Sequence, residues 1–295
     1  MTRDFVKEIV LPRSDSRKGE NGRVLVIGGS KLFHAASFWS ASMAAKIVDM
    51  VHFSSPVLEN NELMRGRAKD KFWDGIVVPW EEVEHYIKED DVILIGPGMV
   101  RSTINSNDQA PNYKQIQNIN IKNQNNENTR EIVNYFLAKY PDKKWVVDGG
   151  ALQEVDPKLL NKNMIVTPNF REINILLGKI TNNQNPNLKL GQLGITVLEK
   201  GVIDKISDGT ESVEVAGGSA GMTKGGSGDV LAGLVAGLYA KSSAMAACVV
   251  ASMVNKKAGE ELEQKVGTFF SAYDLIGEAQ KQLGIILPGD SRKVL

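Results

Sequence analysis

The sequence predicts an α/β fold in which a largely parallel central sheet carries helices on both faces. Short apolar runs alternate with helical segments along nearly the whole chain, a pattern typical of such sheets. Several of these runs end directly on glycine or on an acidic residue. Such residues mark the carboxyl edge of a sheet, where open α/β proteins bind their ligands. A glycine-rich segment followed by a fully apolar helix, in the last third of the chain, indicates a place for an anion at that edge.

Continuous apolar runs are typical of parallel strands that are buried on both faces. The runs that fit this description are 23–27, 50–53, 75–78, 91–95, 144–147, 164–166 and 195–199. Helices are predicted over 35–48, 129–139 and 172–177, the last of them ending at Gly178. Asp208-Gly209 predicts a hairpin turn near the end of the strand series. The Asn/Gln-rich stretch at 104–128 is interpreted as a solvated loop within one domain that spans 1–295.

Composition narrows the possible partners. Lys plus Arg and Asp plus Glu number 35 each, so the formal net charge is +0, which gives no electrostatic basis for binding nucleic acid or an anionic membrane. Cys248 is the only cysteine, which excludes an intrachain disulfide and a cysteine-rich metal site. The N-terminus lacks the features of a signal peptide, and no apolar run is long enough to span a bilayer. We therefore expect a soluble, cytoplasmic protein.

The segment from Gly221 to Asp229 carries the clearest chemical signal. Gly225, Gly226, Ser227 and Gly228 precede Asp229, and an apolar helix follows. Glycines at a helix start let backbone N–H groups approach a phosphate, and the helix dipole adds positive potential. A carboxylate there suits proton removal from a hydroxyl group that attacks this phosphate. The alternative interpretation is an ordinary capped helix with Asp229 as its N-cap.

Further candidates follow other strands. Asn169 and Glu172 suit Mg²⁺ held through water near phosphates, or else form a capping box at a helix start. Lys200 is a candidate for contact with phosphate or adenine, although a solvated charge is the alternative. Lys224 either reaches phosphate or points away, and Asp148 is interpreted as a loop cap. The patterns of zinc proteases, esterases and P-loop proteins are missing from the sequence.

Four segments together resemble a known group. They are 22–30, Gly96-Pro97-Gly98, Thr167-Pro168-Asn169 with Glu172, and 221–233. The chain resembles the ribokinase-like superfamily, and within it the ADP/ATP-dependent NAD(P)H-hydrate dehydratases. Met99-Val100, Gly150, Asn169 and Lys224 depart from the usual family pattern, and the Asn/Gln-rich loop resembles an insertion.

The resemblance implies a ribokinase-like fold and repair of the S-form of hydrated NADH or NADPH, with ADP or ATP as phosphoryl donor and Mg²⁺ as cofactor. It implies catalysis by Asp229 with the amides of Gly226, Ser227 and Gly228. The residues implied to bind the nucleotide are Lys200, Gly201, Val202, Ile203, Asp204, Gly225 and Gly228. Those implied to face the substrate are Ala41, Gly96, Gly98, Asn169 and Asp229, while Asn169 and Glu172 are implied to hold Mg²⁺ through water.

Two other functions remain open at this stage. A small-molecule kinase of the same superfamily, acting on a hydroxymethylpyrimidine or thiazole alcohol, needs the same Gly-Asp chemistry. A nucleotide-binding protein without catalysis is the second alternative, although the retained Asp229 argues against it. Apolar Ala- and Met-rich helices suggest an interface for a homo-oligomer, with a tetramer among the options. The choice between ADP and ATP is not visible in the sequence.

Overall fold

A computed structural model describes residues 2–67, 74–101, 125–181 and 190–287. The strands in this part are β1 Arg23–Ile27, β2 Met50–Ser54, β3 Ile76–Val77, β4 Val92–Ile95, β5 Lys144–Val147, β6 Met164–Val166, β7 Thr196–Glu199, β8 Ile203–Ser207 and β9 Ser212–Ala216. They form a single sheet in the order β3-β2-β1-β4-β5-β6-β7-β8-β9. Neighbouring strands from β3 to β7 pair in parallel, whereas β8 and β9 pair antiparallel at the far edge.

The helices in the described part are α1 Thr2–Lys7, α2 His34–Ala44, α3 Leu58–Arg67, α4 Val83–Glu89, α5 Thr129–Lys139, α6 Gly149–Glu154, α7 Phe170–Thr181, α8 Ser227–Tyr239, α9 Ala244–Val266 and α10 Ala272–Ile286. None of the helices in these described ranges is both long enough and apolar enough to cross a membrane.

The core lies in two layers, one on each face of the sheet. Alternate side chains of a strand point to opposite faces, so Val24 and Val26 of β1 join one layer while Leu25 and Ile27 join the other. The first layer is closed by α2, α8, α9 and α10, and the second by α4, α5, α6 and α7. Because every strand in the middle is covered on both sides, these strands have the continuous apolar sequences that predicted them.

The predicted fold is confirmed, but two predicted helices have other bounds. The helix predicted over 35–48 is α2, His34–Ala44, and it ends early because Lys46 and Ile47 form turns by bonding to the carbonyls of Met43 and Ala44 three residues back. Helix α7 begins at Phe170 and continues past Gly178 to Thr181, so the prediction that it ends at Gly178 is wrong. A Cβ added to Gly178 would meet nothing within 4 Å, so the glycine lies on an open face and the helix passes through it. The Asn/Gln-rich stretch at 104–128 lies, as far as residue 124, outside the described residues.

Candidate active site

The start of α8 is a glycine-rich turn at the carboxyl edge of the sheet. Gly226 precedes the helix with φ of 101°, a conformation that other residues rarely adopt. A Cβ at Gly226 would lie 2.5 Å from the Trp39 ring and 2.6 Å from the Cβ of Ala272, so only glycine fits. At Gly225, by contrast, a Cβ would meet nothing within 4 Å, which leaves this side of the turn open. Gly225 is exposed and Gly228 is partly exposed, so the start of this 13-residue helix, with its unpaired N–H groups, is accessible at these two positions.

Asp229 lies in the first turn of α8 and is half-buried. Ser40 of α2 donates a hydrogen bond from Oγ to the Asp229 carbonyl at 2.8 Å, which fixes the backbone that carries the carboxylate. Burial raises the pKa of Asp229 to about 7, and the negative charges of Asp148 and Glu172 add to this effect against the opposing charge of Lys200. A carboxyl with a pKa near 7 suits a general base at neutral pH.

Asp148, Thr167 and Lys200 form a buried cluster below α8. Asp148 Oδ1 accepts hydrogen bonds from Lys200 Nζ at 2.8 Å and from Thr167 Oγ1 at 2.7 Å. Burial by itself lowers the pKa of Lys200, but the carboxylates of Asp148, Glu172 and Asp229 outweigh it and hold the pKa above its ordinary value. Lys200 is therefore a fixed cation rather than the solvated charge of the alternative interpretation.

Asn169 and Glu172 form a reciprocal capping box at the start of α7. The Asn169 side-chain oxygen accepts from the backbone N–H groups of Arg171 at 2.9 Å and Glu172 at 3.0 Å. In return, Glu172 Oε2 accepts from the Asn169 N–H at 2.9 Å. The contacts of Asn169 and Glu172 are therefore those of the capping box that the sequence offered as one alternative. Burial raises the pKa of Glu172, with the charge of Lys200 opposing it.

The donor set fits a hydrated magnesium ion rather than one enclosed by protein ligands. Glu172 Oε1 takes no part in the capping box and lies 3.9 Å from Arg101 Nη2. Both lone pairs of the Asn169 side-chain oxygen are already engaged by backbone N–H groups. Within the described ranges, no group of three or more His, Cys, Asp or Glu side chains is placed to hold a metal. Mg²⁺ commonly keeps several waters beside one or two carboxylates, which matches contact through water.

Lys200, Gly201 and Val202 form the turn between β7 and β8, and Ile203 and Asp204 begin β8. Asp204 is buried, and its carboxylate accepts from the Gly201 N–H at 2.9 Å and from Ser252 Oγ at 2.6 Å. The buried Lys256 lies 3.3 Å from Asp204 Oδ1 and donates to the carbonyls of Gly201 and Val202. The Val202 side chain is 88% exposed, and Ile203 is also exposed. The turn therefore presents backbone and apolar side chains outward, while Asp204 holds its shape from within.

The remaining predicted site residues make close contacts within the protein. Gly96 and Gly98 have positive φ values of 120° and 71°, and a Cβ on either would overlap a backbone carbonyl. Ala41 is fully buried in the first core layer. Lys224 donates to the carbonyls of Thr268 and Phe270, so its ammonium is engaged by the loop between α9 and α10.

Sequence reasoning missed part of this site. Asp148 precedes α6 but makes no side-chain capping bond, so its interpretation as a loop cap is wrong. The signal in the sequence was the position of Asp148 directly after a buried strand, which Lys200 shares. Ser40 lies in no distinguishing pattern, and the Thr167-Pro168-Asn169 segment does not indicate the partner of Thr167. The contacts of both residues depend on which strands and helices are neighbours in space.

Comparison with known proteins identifies the group to which this site belongs. The model of the NAD(P)H-hydrate dehydratase family matches residues 24–281, which is most of the chain. The chain belongs to the NAD(P)H-hydrate dehydratase family. Within this family, it is similar to the ADP-dependent (S)-NAD(P)H-hydrate dehydratase of Nitrosopumilus maritimus, with 33% identity over 291 residues and 94% of each chain covered.

Solved structures support the ribokinase-like fold of this NAD(P)H-hydrate dehydratase family member. A ribokinase-like superfamily protein from Enterococcus faecalis matches with a TM-score of 0.75 at 21% identity, covering 98% of this chain and 96% of the other. The ADP/ATP-dependent NAD(P)H-hydrate dehydratase of Bacillus subtilis, co-crystallized with ATP/Mg²⁺, matches with a TM-score of 0.69 at 18% identity. This second match covers 96% of this chain and 97% of the other.

Proposed function

We propose that this chain restores NADH or NADPH from the S-form of their hydrates, using ADP or ATP as phosphoryl donor. The observation that carries the proposal is Asp229 at the mouth of α8, half-buried beside Lys200, in a chain of the NAD(P)H-hydrate dehydratase family. The names of its relatives include both an ADP-dependent and an ATP-dependent enzyme, so both donors belong in the test.

The chemistry begins with activation of a poor leaving group. Asp229 accepts the proton of the substrate hydroxyl, whose oxygen then forms a bond to the terminal phosphorus of the donor while the bond to the departing nucleotide breaks. The amides of Gly226, Ser227 and Gly228 stabilise the charge on the transferring group. Removing one such donor typically raises the barrier by roughly 3 kcal/mol. Lys200 supplies positive charge beside the same turn.

The second half of the reaction removes phosphate. The ring nitrogen's electron pair assists cleavage of the carbon–oxygen bond, phosphate departs with the bonding pair, and loss of a ring proton restores the dihydropyridine. The balance is one hydrate and one nucleotide converted to NAD(P)H, phosphate, a proton and the shortened nucleotide. Bound Mg²⁺ would neutralise phosphate charge near Glu172, with Asn169 supporting that carboxylate through the capping box.

The residues between Lys200 and Asp204 are proposed to bind the nucleotide through their backbone and the exposed Val202 side chain. Gly98 and Asn169 are proposed to face the dinucleotide substrate. Of the other residues expected there, Gly96 is proposed to shape the same turn, whereas the fully buried Ala41 does not face the substrate. We also propose a single domain, a homo-oligomeric assembly and a cytoplasmic location, with neither nucleic acid nor membrane as partner. These proposals rest on the sequence and on the family.

The test is recovery of 340-nm absorbance from hydrated NADH with ADP and ATP compared side by side. We expect turnover by the natural protein and a loss of at least about 100-fold in kcat for Asp229→Asn, because general-base catalysis contributes about 10²–10⁴-fold. Near-normal turnover by a folded Asp229→Asn protein would remove Asp229 from the mechanism. Accumulation of a phosphorylated hydroxymethylpyrimidine or thiazole alcohol instead would identify a kinase.

A further inference from the structure

Asp148 is well buried below α8, and none of the proposed reaction steps uses its carboxylate. The side chain of Asp148 is 2% exposed and that of Lys200 is 18% exposed, and they form an ion pair at 2.8 Å. Thr167 Oγ1 donates to the same carboxylate oxygen at 2.7 Å. Ion pairs shielded from water in this way keep one geometry, unlike flexible pairs on the surface.

The three residues join consecutive strand ends to the helix that carries Asp229. Asp148 follows β5, Thr167 follows β6 and Lys200 follows β7, and these strands are neighbours in the sheet. Lys200 Nζ lies 3.4 Å from the point that a Cβ on Gly228 would occupy. The Lys200 ammonium therefore rests against the first turn of α8, where its charge adds to that of the helix N-terminus.

We infer that Asp148 is a positioning residue, which holds the Lys200 ammonium against the first turn of α8 where the transferred phosphoryl group is placed. The inference rests on the proposed function. A lysine side chain without this partner has many rotamers, whereas a charge fixed in advance needs no reorganisation during the reaction. Asp148 acts through Lys200 and makes no contact with the substrate in this scheme.

The competing explanation is a purely structural ion pair. In that case, Asp148 and Lys200 would be coupled in thermal stability, but their effects on kcat and on nucleotide affinity would be independent. A positioning role predicts instead that substitution of Asp148 has no further effect once Lys200 is gone. Coupling of this kind is what a double-mutant cycle measures.

The experiment compares Asp148→Asn, Lys200→Met and the double variant in the hydrated-NADH assay. We expect Asp148→Asn to lower kcat by about 10- to 100-fold, as misplacement of a catalytic charge commonly does. The KM for hydrated NADH should stay near that of the natural protein. The double variant should match Lys200→Met to within about 3-fold, since the two residues act as a unit.

Glu278→Gln serves as the matched control. Glu278 of α10 is also a buried carboxylate, 4% exposed, and pairs with Lys265 at 2.7 Å. We expect its substitution to leave kcat unchanged. If Asp148→Asn does not fold, Asp148→Glu retains the charge but moves the carboxylate by one methylene, and a fall in kcat is expected there too. Melting curves establish folding for each variant.

The same cycle measured by calorimetry with ADP or ATP needs no turnover and separates the two proposals. If the natural protein binds nucleotide but does not convert hydrated NADH, the proposed function fails, and coupled losses of nucleotide affinity still support the positioning role. The inference would be overturned if the effects of Asp148→Asn and Lys200→Met simply multiplied in the double variant. The kcat of the double variant would then fall below that of Lys200→Met by the full factor that Asp148→Asn causes alone, and the nucleotide affinity would show the same independence.

Discussion

Asp229 has an environment that favours its neutral form. Burial is the main cause, and the neighbouring carboxylates of Asp148 and Glu172 add to it, so the pKa rises from 3.8 to about 7. Below this pH most of the Asp229 carboxyl is protonated and is unable to accept the substrate proton. The acid limb of kcat/KM for the dehydratase is therefore expected near pH 7.

The same shift predicts how Asp229 affects stability. The pKa of Asp229 is higher in the folded than in the unfolded protein. Its stabilising contribution to the free energy of unfolding is therefore fully present below about pH 4 and is lost as pH rises through 7. Asp229→Asn has no such decline, so its free energy of unfolding should exceed that of the natural protein by about 1–3 kcal/mol at pH 8. We expect this difference to shrink toward pH 4. Urea denaturation at several pH values measures it.

Asp274→Asn provides a control in which the free energy of unfolding should depend on pH in the opposite direction. The backbone N–H and hydroxyl of Ser271 hydrogen-bond to Asp274 and lower its pKa, so its stabilising contribution is present at high pH and lost in acid. This variant should be less stable than the natural protein at pH 8. A pH-independent gap for Asp229→Asn would contradict the proposed environment of that residue.

At the scale of elements, glycines let α2 approach α8 closely enough to fix the Asp229 backbone. A Cβ on Gly233 would lie 2.4 Å from the Ser40 carbonyl oxygen, and one on Gly237 would lie 2.8 Å from Ile47. Ser40 also donates the hydrogen bond to the Asp229 carbonyl. The glycine face of α8 therefore determines where the first turn of α8 lies relative to α2.

This contact predicts opposite results for two helical glycines. Gly233→Ala would force α2 away from α8, and overpacking of this kind lowers the free energy of unfolding by about 1–3 kcal/mol. Gly277→Ala, on α10, meets nothing within 4 Å and should raise it by about 0.5–1 kcal/mol, because alanine favours helix. Chemical denaturation of both variants gives the comparison. If both substitutions changed the free energy of unfolding equally, helix propensity alone would explain their effects and the close contact at Gly233 would not matter.

The capping box of α7 separates a structural role of Asn169 from a functional one. Asn169→Ala removes the acceptor for two backbone N–H groups and should lower the free energy of unfolding by about 0.5–2 kcal/mol. Asn169→Asp keeps an acceptor and should retain stability. We expect both variants to lose activity with hydrated NADH, because Asn169 is also proposed to face the substrate. Full activity in Asn169→Asp would restrict this residue to capping.

The sequence predicted these elements better than it predicted their contacts. Buried parallel strands have continuous apolar sequences, and strands such as β5, β6 and β7 end at one edge, so Asp148, Asn169 and Lys200 could be expected near each other. The pairing of Lys200 with Asp148 depends on the order of strands in the sheet, which a linear pattern does not contain. Gly178 was also a misleading signal, because a glycine on the open face of a helix does not by itself end the helix.

Across the whole molecule, two lysines fasten the loops around the proposed nucleotide position. Lys256 of α9 holds the β7–β8 turn through the carbonyls of Gly201 and Val202 and through Asp204. Lys224 holds the loop between α9 and α10 through the carbonyls of Thr268 and Phe270. The β7–β8 turn is thus fixed to helix α9, and the α9–α10 loop to the segment that precedes α8, before any ligand arrives. Nucleotide binding therefore requires little ordering of the chain.

A preformed site predicts stabilisation of the whole protein by the correct nucleotide. A ligand that binds only the folded state at 100 times its Kd raises the free energy of unfolding by about 2.7 kcal/mol. We expect ADP or ATP with Mg²⁺ to raise the melting temperature by several degrees. Asp229→Asn should retain this rise, because the Asp229 carboxylate is not among the proposed nucleotide contacts. Lys200→Met should reduce it, because the ammonium lies beside the phosphate position. If neither nucleotide shifted the melting curve at concentrations that support turnover, the glycine-rich turn at the start of α8 would not be the donor site.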